Sequence, residues 1–275
     1  MKTFIKLSIF IVFLITIACN TNPNKETNTN SSIKTEKIVN SDYLLMSTLW
    51  FQKSAEMQAV YLQTYHFAKL IIDNKLNLNN NDKPKAVVVD IDETVLDNSS
   101  FEAHCITKNT SYTSEEWKAW VDKSEAKALP GALDFLKYAK EKGVETIYIS
   151  NRKKNTQVST LTNLRKLEFP FADDTHLFLR DSVSTKRYRR EAVLDKYDVI
   201  LYIGDNLTDY SEIFENRNSK LAKDIVEKNK AVLGVDFLIL PNPMYGEWEK
   251  PVFDNNMRLP KAEKDSLRKA ILNTY

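Results

Sequence analysis

Five short apolar runs, separated by helix-like stretches, are the feature that most constrains how this chain can fold. The runs are Ala86–Val89, Thr146–Ile149, Leu177–Leu179, Val199–Ile203 and Phe237–Leu240. The stretches between them are Ala132–Lys142, Thr156–Leu167, Lys186–Leu194 and Ser219–Asn229. Continuous apolar strands that alternate with helices are typical of a parallel sheet that is covered on both faces. We therefore predict a three-layer α/β fold of the doubly wound type.

A long helix is predicted before the first of these runs. Between residues 43 and 76 the chain has neither Gly nor Pro, and its apolar residues recur at helical spacing. Ser41 or Asp42 can cap the helix, and a polar turn over residues 79–84 ends it. The apolar residues of the pattern are Leu45, Leu49, Ala55, Ala59, Leu62, Phe67 and Leu70.

The composition excludes several classes of protein. Because 43% of the 275 residues are hydrophobic, the chain can build a packed core and is not wholly disordered. The formal net charge is +2 with the basic residues spread along the chain, so we expect no nucleic-acid polymer as a partner. Two cysteines cannot form a disulfide scaffold. The sequence also contains neither the Walker-type phosphate loop nor the glycine motif of dinucleotide-binding domains.

The first 40 residues have the pattern of a secretion signal followed by a tether. Residues 1–18 combine a basic start with an apolar run that is short for a membrane span. The junction Ala18-Cys19 resembles the lipobox of bacterial lipoproteins, in which the cysteine is lipidated and becomes the mature N-terminus. Residues 19–40 are almost entirely polar and are expected to form a disordered tether. The alternatives are an ordinary signal peptide or an uncleaved anchor, with Cys19 incidental.

The lipoprotein interpretation has two consequences. A lipid on Cys19 would anchor the protein in the bacterial cell envelope, where we expect it on the outer membrane, facing the periplasm or the surface. Cys105 would then be the remaining thiol, and we expect it to be a small buried apolar residue.

Polar residues suited to phosphate and to a divalent metal ion follow four of the five apolar runs. Since the carboxyl ends of parallel strands meet at one edge of a sheet, the four clusters are expected to form one pocket. They are Asp90-Ile91-Asp92-Glu93-Thr94-Val95-Leu96-Asp97-Asn98, Ser150-Asn151-Arg152, residues 180–186 and Gly204-Asp205-Asn206-Leu207-Thr208-Asp209.

These clusters contain the groups needed for metal-assisted phosphoryl transfer. Asp90 and Asp92 are separated by one residue, so one can attack phosphorus while the other handles the proton of the leaving group. A carboxylate and a phosphate dianion repel each other, so Mg²⁺ is expected between them, with Asp205 offering a further oxygen. Lys186 supplies positive charge to the transferring oxygens and Ser150 supplies a hydrogen bond. The reaction would pass through an aspartyl-phosphate.

The order of these residues resembles that of a known superfamily. The clusters resemble the four motifs of the haloacid dehalogenase (HAD) superfamily: Asp90-x-Asp92-x-Thr94, Ser150, Lys186 and Gly204-Asp205-x-x-x-Asp209. From about Ser41 to its C-terminus, the chain resembles more narrowly the class C acid phosphatases, which are bacterial lipoproteins. The segments that carry this narrower resemblance are Trp50 to Glu56, Asp92 to Asn98, Trp117 to Trp120 with 129–132, Ser150 to Arg152, and 241–248.

The resemblance implies roles for the acidic residues. Asp90 would be the nucleophile, and Asp92 the general acid that protonates the leaving oxygen and later activates water. Mg²⁺ would be held by Asp90, the backbone carbonyl of Asp92, the carboxylate of Asp205 and waters. Asp209 would orient a metal-bound water, although it could also simply cap the next helix.

The resemblance also implies residues that bind the substrate. Ser150, Asn151 and Lys186 would bind the phosphate group. Aromatic side chains would grip the base of a nucleotide, and the candidates are Trp117, Trp120 and Tyr245. Trp117 and Trp120 lie three residues apart, the spacing of one helical face, so packing in the core remains an alternative role for them.

We therefore expect a Mg²⁺-dependent phosphomonoesterase of the acid phosphatase type, acting on nucleoside monophosphates, over residues 41–275. Residues 41–78, 98–129 and the C-terminal segment are expected to form a small, mainly helical cap or second domain. Asp92 disfavours dehalogenation, because phosphoryl chemistry needs such a proton donor. A phosphotransferase, or a surface lipoprotein with an additional ligand-binding role, remains an alternative, and a homodimer is left open.

Overall fold

Five parallel strands form the centre of the computed structural model, which describes residues 42–78, 82–215, 217 and 222–275. In chain order the strands are β1 (Lys85–Val89), β2 (Leu96–Asp97), β3 (Lys127–Ala128), β4 (Glu145–Lys153), β5 (Leu177–Arg180), β6 (Asp198–Gly204) and β7 (Phe237–Ile239). The parallel sheet has the order β5-β4-β1-β6-β7, and β2 pairs with β3 in a separate antiparallel ribbon. All five predicted strands are therefore confirmed, and β1, which Asp90 follows directly, is the central strand.

Nine α-helices lie in the described part of the chain. They are α1 (Leu45–Lys53), α2 (Ala55–Leu78), α3 (Ser99–Lys108), α4 (Ser114–Lys123), α5 (Ala132–Glu141), α6 (Gln157–Lys166), α7 (Arg187–Leu194), α8 (Lys223–Lys228) and α9 (Lys261–Ala270). The four helices predicted between the strands of the parallel sheet are therefore present. They are α5 before β4, α6 between β4 and β5, α7 between β5 and β6, and α8 between β6 and β7. The first residues predicted for α8 lie outside the described residues.

Side chains that alternate along the strands build a core on each face of the sheet. Val87 and Val89 of β1 belong to the larger core, together with residues of α2, α5 and α6. Ala86 and Val88 point to the other face, where the cluster is much smaller and includes Val193 of α7. Helices thus cover both faces, which confirms the predicted three-layer arrangement.

The long helix predicted before β1 is divided in two. Ser54 has extended backbone angles (φ −79°, ψ 139°), and its hydroxyl accepts a hydrogen bond from the backbone N–H of Met57 at 3.1 Å. Ser54 therefore caps the start of α2. The apolar pattern of the sequence continues across Ser54, so it did not predict the break between the two helices.

The buried face of α1 and α2 also differs from the apolar pattern of the sequence. Leu45, Leu49, Leu62, Phe67 and Leu70 are each at least 44% exposed. The residues of α2 that are buried are Met57, Tyr61, Tyr65, Ala68, Ile71 and Ile72. Two of these are tyrosines whose hydroxyls find buried carbonyl partners, so polar-tipped side chains occupy the core-facing side of the helix.

The segments predicted to form a cap are largely helical. Residues 98–129 contain α3 and α4, and the C-terminal segment contains α9. Cys105 of α3 is 1% exposed and is a free thiol, as predicted. Within the described ranges, no helix has both the length and the apolar character needed to span a membrane. The predicted signal peptide, Cys19 and the tether lie outside the described residues, and the division into domains stays a prediction.

Candidate active site

The loop after β1 is folded tightly by its own backbone hydrogen bonds. The N–H groups of residues 94–96 all donate to the carbonyl of Ile91, at 2.9–3.3 Å. Glu93 has a left-handed conformation (φ 55°), which is strained for a residue with a Cβ. The N–H of Asp90 donates to Ile203 of β6 at 3.0 Å, so the first aspartate is still tied to the sheet. Asp92 follows at the start of this turn.

Two tyrosines of α2 hold the backbone of this loop through hydrogen bonds. The hydroxyl of Tyr61 donates to the carbonyl of Glu93 at 2.6 Å, and that of Tyr65 donates to the carbonyl of Thr94 at 2.6 Å. Tyr61 also donates to the carbonyl of Pro241 at 3.2 Å, in the segment after β7. The helix thus ties the loop after β1 to a second segment at the same edge of the sheet.

Three carboxylates converge at this edge. One oxygen from each of Asp90, Asp205 and Asp209 lies within 4.8 Å of the other two. Asn242 donates to Asp205 Oδ2 at 2.8 Å, which fixes the orientation of that carboxylate. Gly204 makes room for Asp209, because a Cβ at position 204 would lie 2.2 Å from Asp209 Oδ2.

Lys186 is buried against two of these carboxylates. Its ammonium group contacts Asp90 Oδ1, lies 2.7 Å from Asp209 Oδ1 and donates to the carbonyl of Ile149 at 2.7 Å. Asp209 Oδ2 meanwhile accepts a hydrogen bond from the backbone N–H of Asn206 at 2.9 Å. Asp209 therefore closes its own turn, in line with the capping role considered from the sequence, and also holds Lys186, a contact that the sequence did not predict. Its proposed role in orienting a metal-bound water stays a prediction.

Burial and like charge raise the pKa values of two acids of the cluster, Asp90 and Asp205. Burial raises the pKa of Asp90 to about 7, with Lys186 opposing the rise and Asp209 and Asp92 adding to it. Burial, followed by the charges of Asp209 and Asp90, raises the pKa of Asp205 well above its ordinary range. Burial lowers the pKa of Lys186, but Asp209 and Asp90 outweigh it, so the net shift is upward and the lysine is charged.

The carboxylate cluster fits an oxygen-liganded divalent metal ion. The three carboxylates lie close together around a single lysine, so the ionised cluster carries a net negative charge. The raised pKa values of Asp90 and Asp205, caused first by burial and then by like charge, show that a cation would be favourable here. Hard divalent cations such as Mg²⁺ take carboxylate and carbonyl oxygens as ligands. The donor set contains no soft ligand that would favour another class of metal.

Asp92 is held by a buried arginine. Arg152 is 2% exposed, and its Nε and Nη2 lie 2.9 and 2.8 Å from Asp92 Oδ1. The amide of Asn98 donates to the same oxygen at 2.9 Å, while its own Oδ1 accepts from Arg152 and from the indole N–H of Trp120. Asp92 Oδ2 has a different partner, the hydroxyl of Ser150 at 3.3 Å. Oδ1 of Asp92 thus has its contacts with Arg152 and Asn98, whereas Oδ2 contacts Ser150.

The predicted phosphate-binding residues lie beside these groups. Ser150 is buried at the carboxyl-terminal part of β4, and its hydroxyl accepts from the backbone N–H of Arg152 at 3.1 Å. Asn151 is exposed, and its side-chain oxygen accepts from Arg189 at 2.7 Å. The structure therefore brings together Asp90, Asp92, Ser150, Lys186, Asp205 and Asp209, with Asn151 at the rim.

The three predicted base-binding residues occupy different surroundings. Trp117 packs edge-to-face on Phe101, with ring centres 5.1 Å apart, and lines a cavity of about 140 Å³ together with Asn151. Trp120 packs against the main core and donates its indole N–H to Asn98 at 2.9 Å. Tyr245 is partly buried against the same core, next to the segment that holds Asp205. Trp117 is the one of the three that lines the cavity.

Sequence reasoning placed Arg152 and Asn98 in the polar clusters of the pocket but gave them no role, and it missed Asn242 and the two tyrosines of α2 as parts of the site. Arg152, Asn98 and Asn242 lie within the segments of the family resemblance, which is a signal that could have been used. Tyr61 and Tyr65 carry no such signal, because hydroxyls that reach a loop 29 to 32 residues away leave no local pattern.

The fold and the site define a phosphatase of the HAD class. The sequence matches the family model described as HAD superfamily, subfamily IIIB (acid phosphatase), over residues 13–248, and the chain belongs to that family. The predicted resemblance is therefore confirmed, and the protein is a hydrolase of phosphomonoesters.

Solved structures agree with this assignment. A class C acid phosphatase from Bacillus anthracis with tungstate bound is 40% identical, with a TM-score of 0.83, covering 86% of this chain and 100% of its own. A second structure of the class C acid phosphatase from Bacillus anthracis is 41% identical, with a TM-score of 0.82, covering 86% of this chain and 98% of its own. The class C resemblance thus extends to the whole fold.

Proposed function

We propose that this acid phosphatase hydrolyses nucleoside monophosphates in a Mg²⁺-dependent reaction through an aspartyl-phosphate on Asp90. The observation that carries the proposal is the position of Asp90 at the end of the central strand. There Asp90 meets both a buried lysine and two further carboxylates. This arrangement supplies a nucleophile, positive charge for phosphate and a donor set for a metal ion in one place.

Asp90 acts as the nucleophile, and Asp92 acts first as general acid and then as general base. A carboxylate oxygen of Asp90 bonds to phosphorus as the ester bond breaks, and Asp92 gives a proton to the departing oxygen. Asp92 then takes a proton from a water molecule, whose oxygen attacks phosphorus and releases Asp90 and inorganic phosphate. Arg152 and Asn98 hold Oδ1 of Asp92 throughout, which leaves Oδ2 to carry the proton.

The remaining residues bind the phosphoryl group and the cation. Lys186, which Asp209 holds in place, compensates the negative charge on the oxygens of the phosphoryl group. Ser150 and Asn151 donate hydrogen bonds to the same oxygens. Asp90, Asp205 and the backbone carbonyl of Asp92 would hold Mg²⁺, which, when bound, offsets the repulsion between carboxylate and phosphate.

The nucleotide preference is supported by the cavity beside Asn151. Trp117 and Tyr112 give it an aromatic wall on the side of Asp92, where the leaving group has to lie. A base stacked on an aromatic side chain gains about 1–3 kcal/mol. Tyr245 is proposed as a further contact to the base, and Trp120 as a residue that orients Asn98.

The proposed setting is the bacterial cell envelope. Cys19 would carry the lipid that anchors the protein, with residues 19–40 as the tether and the outer membrane as the destination. What supports this is the sequence pattern of the first 40 residues. Such a location suits an enzyme that releases phosphate from external nucleotides for uptake.

Removal of the metal tests the central part of the proposal. We expect the purified full-length protein to release phosphate from AMP at mildly acidic pH with Mg²⁺. With EDTA the rate should fall by at least about 10²-fold, and added Mg²⁺ should restore it. A panel of nucleotides, sugar phosphates and a chromogenic ester reports the substrate class. Metal-independent release, or a preference for sugar phosphates over nucleotides, would contradict the proposal.

Substitution of the nucleophile tests the intermediate. Asp90→Asn should abolish turnover while the circular dichroism spectrum stays native, because the amide cannot form the acyl phosphate. Asp92→Asn should slow turnover of AMP and allow a phospho-enzyme to accumulate from a substrate with a good leaving group. Rapid quenching and intact-protein mass spectrometry would detect the added phosphoryl group. Substantial activity of Asp90→Asn would exclude Asp90 as the nucleophile.

A further inference from the structure

The cavity beside Asn151 has a strongly cationic wall. Its lining includes Lys118, Lys153 and Arg180, with Glu115 as the one carboxylate among the lining residues. Lys153 and Arg180 are paired neighbours at the carboxyl ends of β4 and β5, on the same edge of the sheet as the active site. An uncharged nucleoside offers no negative group for these cations to bind, so the charge of the wall indicates an anionic ligand.

Two of these cations have no acidic partner in the part of the chain that the structure describes. Lys118 pairs with Asp122, whereas Lys153 donates only to the hydroxyl of Ser114, at 3.2 Å. Arg180 is partly buried, and its guanidinium forms no hydrogen bond or ion pair with any described residue. A planar guanidinium without a partner at the wall of a cavity is suited to bind an anion through two N–H donors.

A second arginine strengthens the positive field. The guanidinium of Arg189 donates to carbonyl and amide oxygens of Ser150, Asn151, Ser184 and Thr185, and forms no ion pair within the described ranges. Burial lowers the pKa of Arg189 to about 10, with the charge of Asp90 opposing the fall and the charges of Arg180 and Arg190 adding to it. Arg189 does not line the cavity, but its charge and that of Arg180 repel each other, and an anion bound at Arg180 would reduce this repulsion.

The cavity lies on the leaving-group side of the catalytic centre. The ring of Trp117 is 5.9 Å from the guanidinium carbon of Arg152, which in turn holds Asp92, the proposed proton donor. A substrate whose phosphate lies at Asp90 would extend its leaving group past Asp92 into this cavity.

We propose that the cavity binds a second phosphate group, carried on the leaving group of the substrate, through Arg180 and Lys153. The preferred substrates would then include nucleoside bisphosphates, which hydrolysis converts to a nucleoside monophosphate and inorganic phosphate. This inference rests on the proposed function, because it places the nucleoside between the two phosphate sites. It adds a charged specificity site to the aromatic wall.

Comparison of two substrates tests this inference. With full-length wild-type protein at low salt, kcat/KM for adenosine 3′,5′-bisphosphate should exceed that for AMP by about ten-fold, the effect of one charge-assisted contact. Arg180→Gln should reduce this ratio to near one, with the loss falling mainly on the bisphosphate. Lys153→Gln should reduce it part of the way. A ratio near one in the wild type would overturn the inference, and so would an equal loss for both substrates in Arg180→Gln.

A charge control and a second readout complete the test. Lys140→Gln removes one exposed positive charge on α5, away from the cavity lining, and should leave the ratio unchanged. If the wild type hydrolyses a chromogenic ester but not AMP, the proposed nucleotide activity fails. In that case adenosine 3′,5′-bisphosphate should still inhibit the chromogenic reaction better than AMP, and Arg180→Gln should abolish that difference. Equal inhibition by both compounds would then overturn the inference itself.

Discussion

Arg152 holds a positive charge at a position where only 2% of its surface is exposed. Burial of an arginine is unfavourable unless its donors are satisfied, and here they are shared among Asp92, Asn98 and Thr160. Since Asp92 is the one carboxylate among the described residues that pairs with it, the arginine orients the proposed acid rather than the phosphate. We therefore regard Arg152 as a positioning residue.

Substitution of Arg152 should affect substrates according to their leaving groups. Arg152→Met should lower kcat for AMP by about 10²-fold, the usual contribution of general acid catalysis. It should lower kcat for p-nitrophenyl phosphate much less, because that leaving group departs without a proton. Steady-state kinetics on a series of esters with different leaving-group pKa values measures the effect. Because the substitution also removes a buried ion pair, urea unfolding has to show that the variant is folded under the assay conditions. A uniform loss across the series would indicate a structural role only.

Among the elements, α2 supports the site from outside the sheet without contributing a proposed catalytic residue. Its hydroxyls from Tyr61 and Tyr65 hold the backbone of the loop after β1, and Tyr61 also reaches the segment that carries Asn242. Asn242 orients Asp205. One helix outside the sheet thus sets the spacing between the loop with Asp92 and the loop that supports the metal site.

Removal of the Tyr61 hydroxyl should reduce activity beyond its effect on stability. Tyr61→Phe leaves buried carbonyls without a donor and should cost about 1–3 kcal/mol in the free energy of unfolding. Because the catalytic loop then loses its fixed position, kcat should fall by about ten-fold or more. Tyr148→Phe is the matched control, since that buried tyrosine donates to the carbonyl of Pro170 at 2.7 Å, away from the site. An equal fall in kcat for both variants would contradict the role assigned to α2.

At the scale of the whole molecule, the sequence predicted the sheet better than the contacts between distant residues. Buried parallel strands are continuous apolar runs, so the predicted bounds of β1, β5, β6 and β7 agree with the structure to within one residue at each end, whereas β4 extends four residues further. The residue types at the strand ends then located the acidic cluster and Lys186, because parallel strands place their carboxyl ends at one edge. The chain alone did not reveal that Arg152 holds Asp92, since this contact joins residues 60 positions apart.

The stability of the molecule should depend on pH through His176, on the loop before β5. Its Nδ1 lies 2.7 Å from Asp173 and its Nε2 lies 2.9 Å from Glu145. Burial lowers the pKa of His176, but the two carboxylates outweigh it and the net shift is upward. The pKa of Asp173 falls to about 2, where its contacts with His176 and Thr175 outweigh burial.

His176→Gln should therefore be more harmful in acid than in base. A raised folded-state pKa means that the imidazolium stabilises the fold fully below its unfolded value of about 6.5, and that this contribution is lost as the pH rises through the folded value. We expect a cost of about 1 kcal/mol at pH 5.5 and a smaller one at pH 9 by urea unfolding. His66→Gln is the control, because His66 is exposed and forms no ion pair with the described residues. A cost independent of pH would contradict this account.

The unequal cores on the two faces of the sheet bear on how the enzyme would lose activity on heating. The smaller cluster, which includes Val193 of α7, gives that face less apolar burial to resist local opening. Lys186 precedes the first residue of α7, so a fluctuation that lifts this helix also removes the charge that faces Asp90. Inactivation would then begin as a sub-global event, with the strands and α2 still protected from amide exchange. The temperature at which catalysis fails would be set by one short helix, below the temperature at which the sheet unfolds.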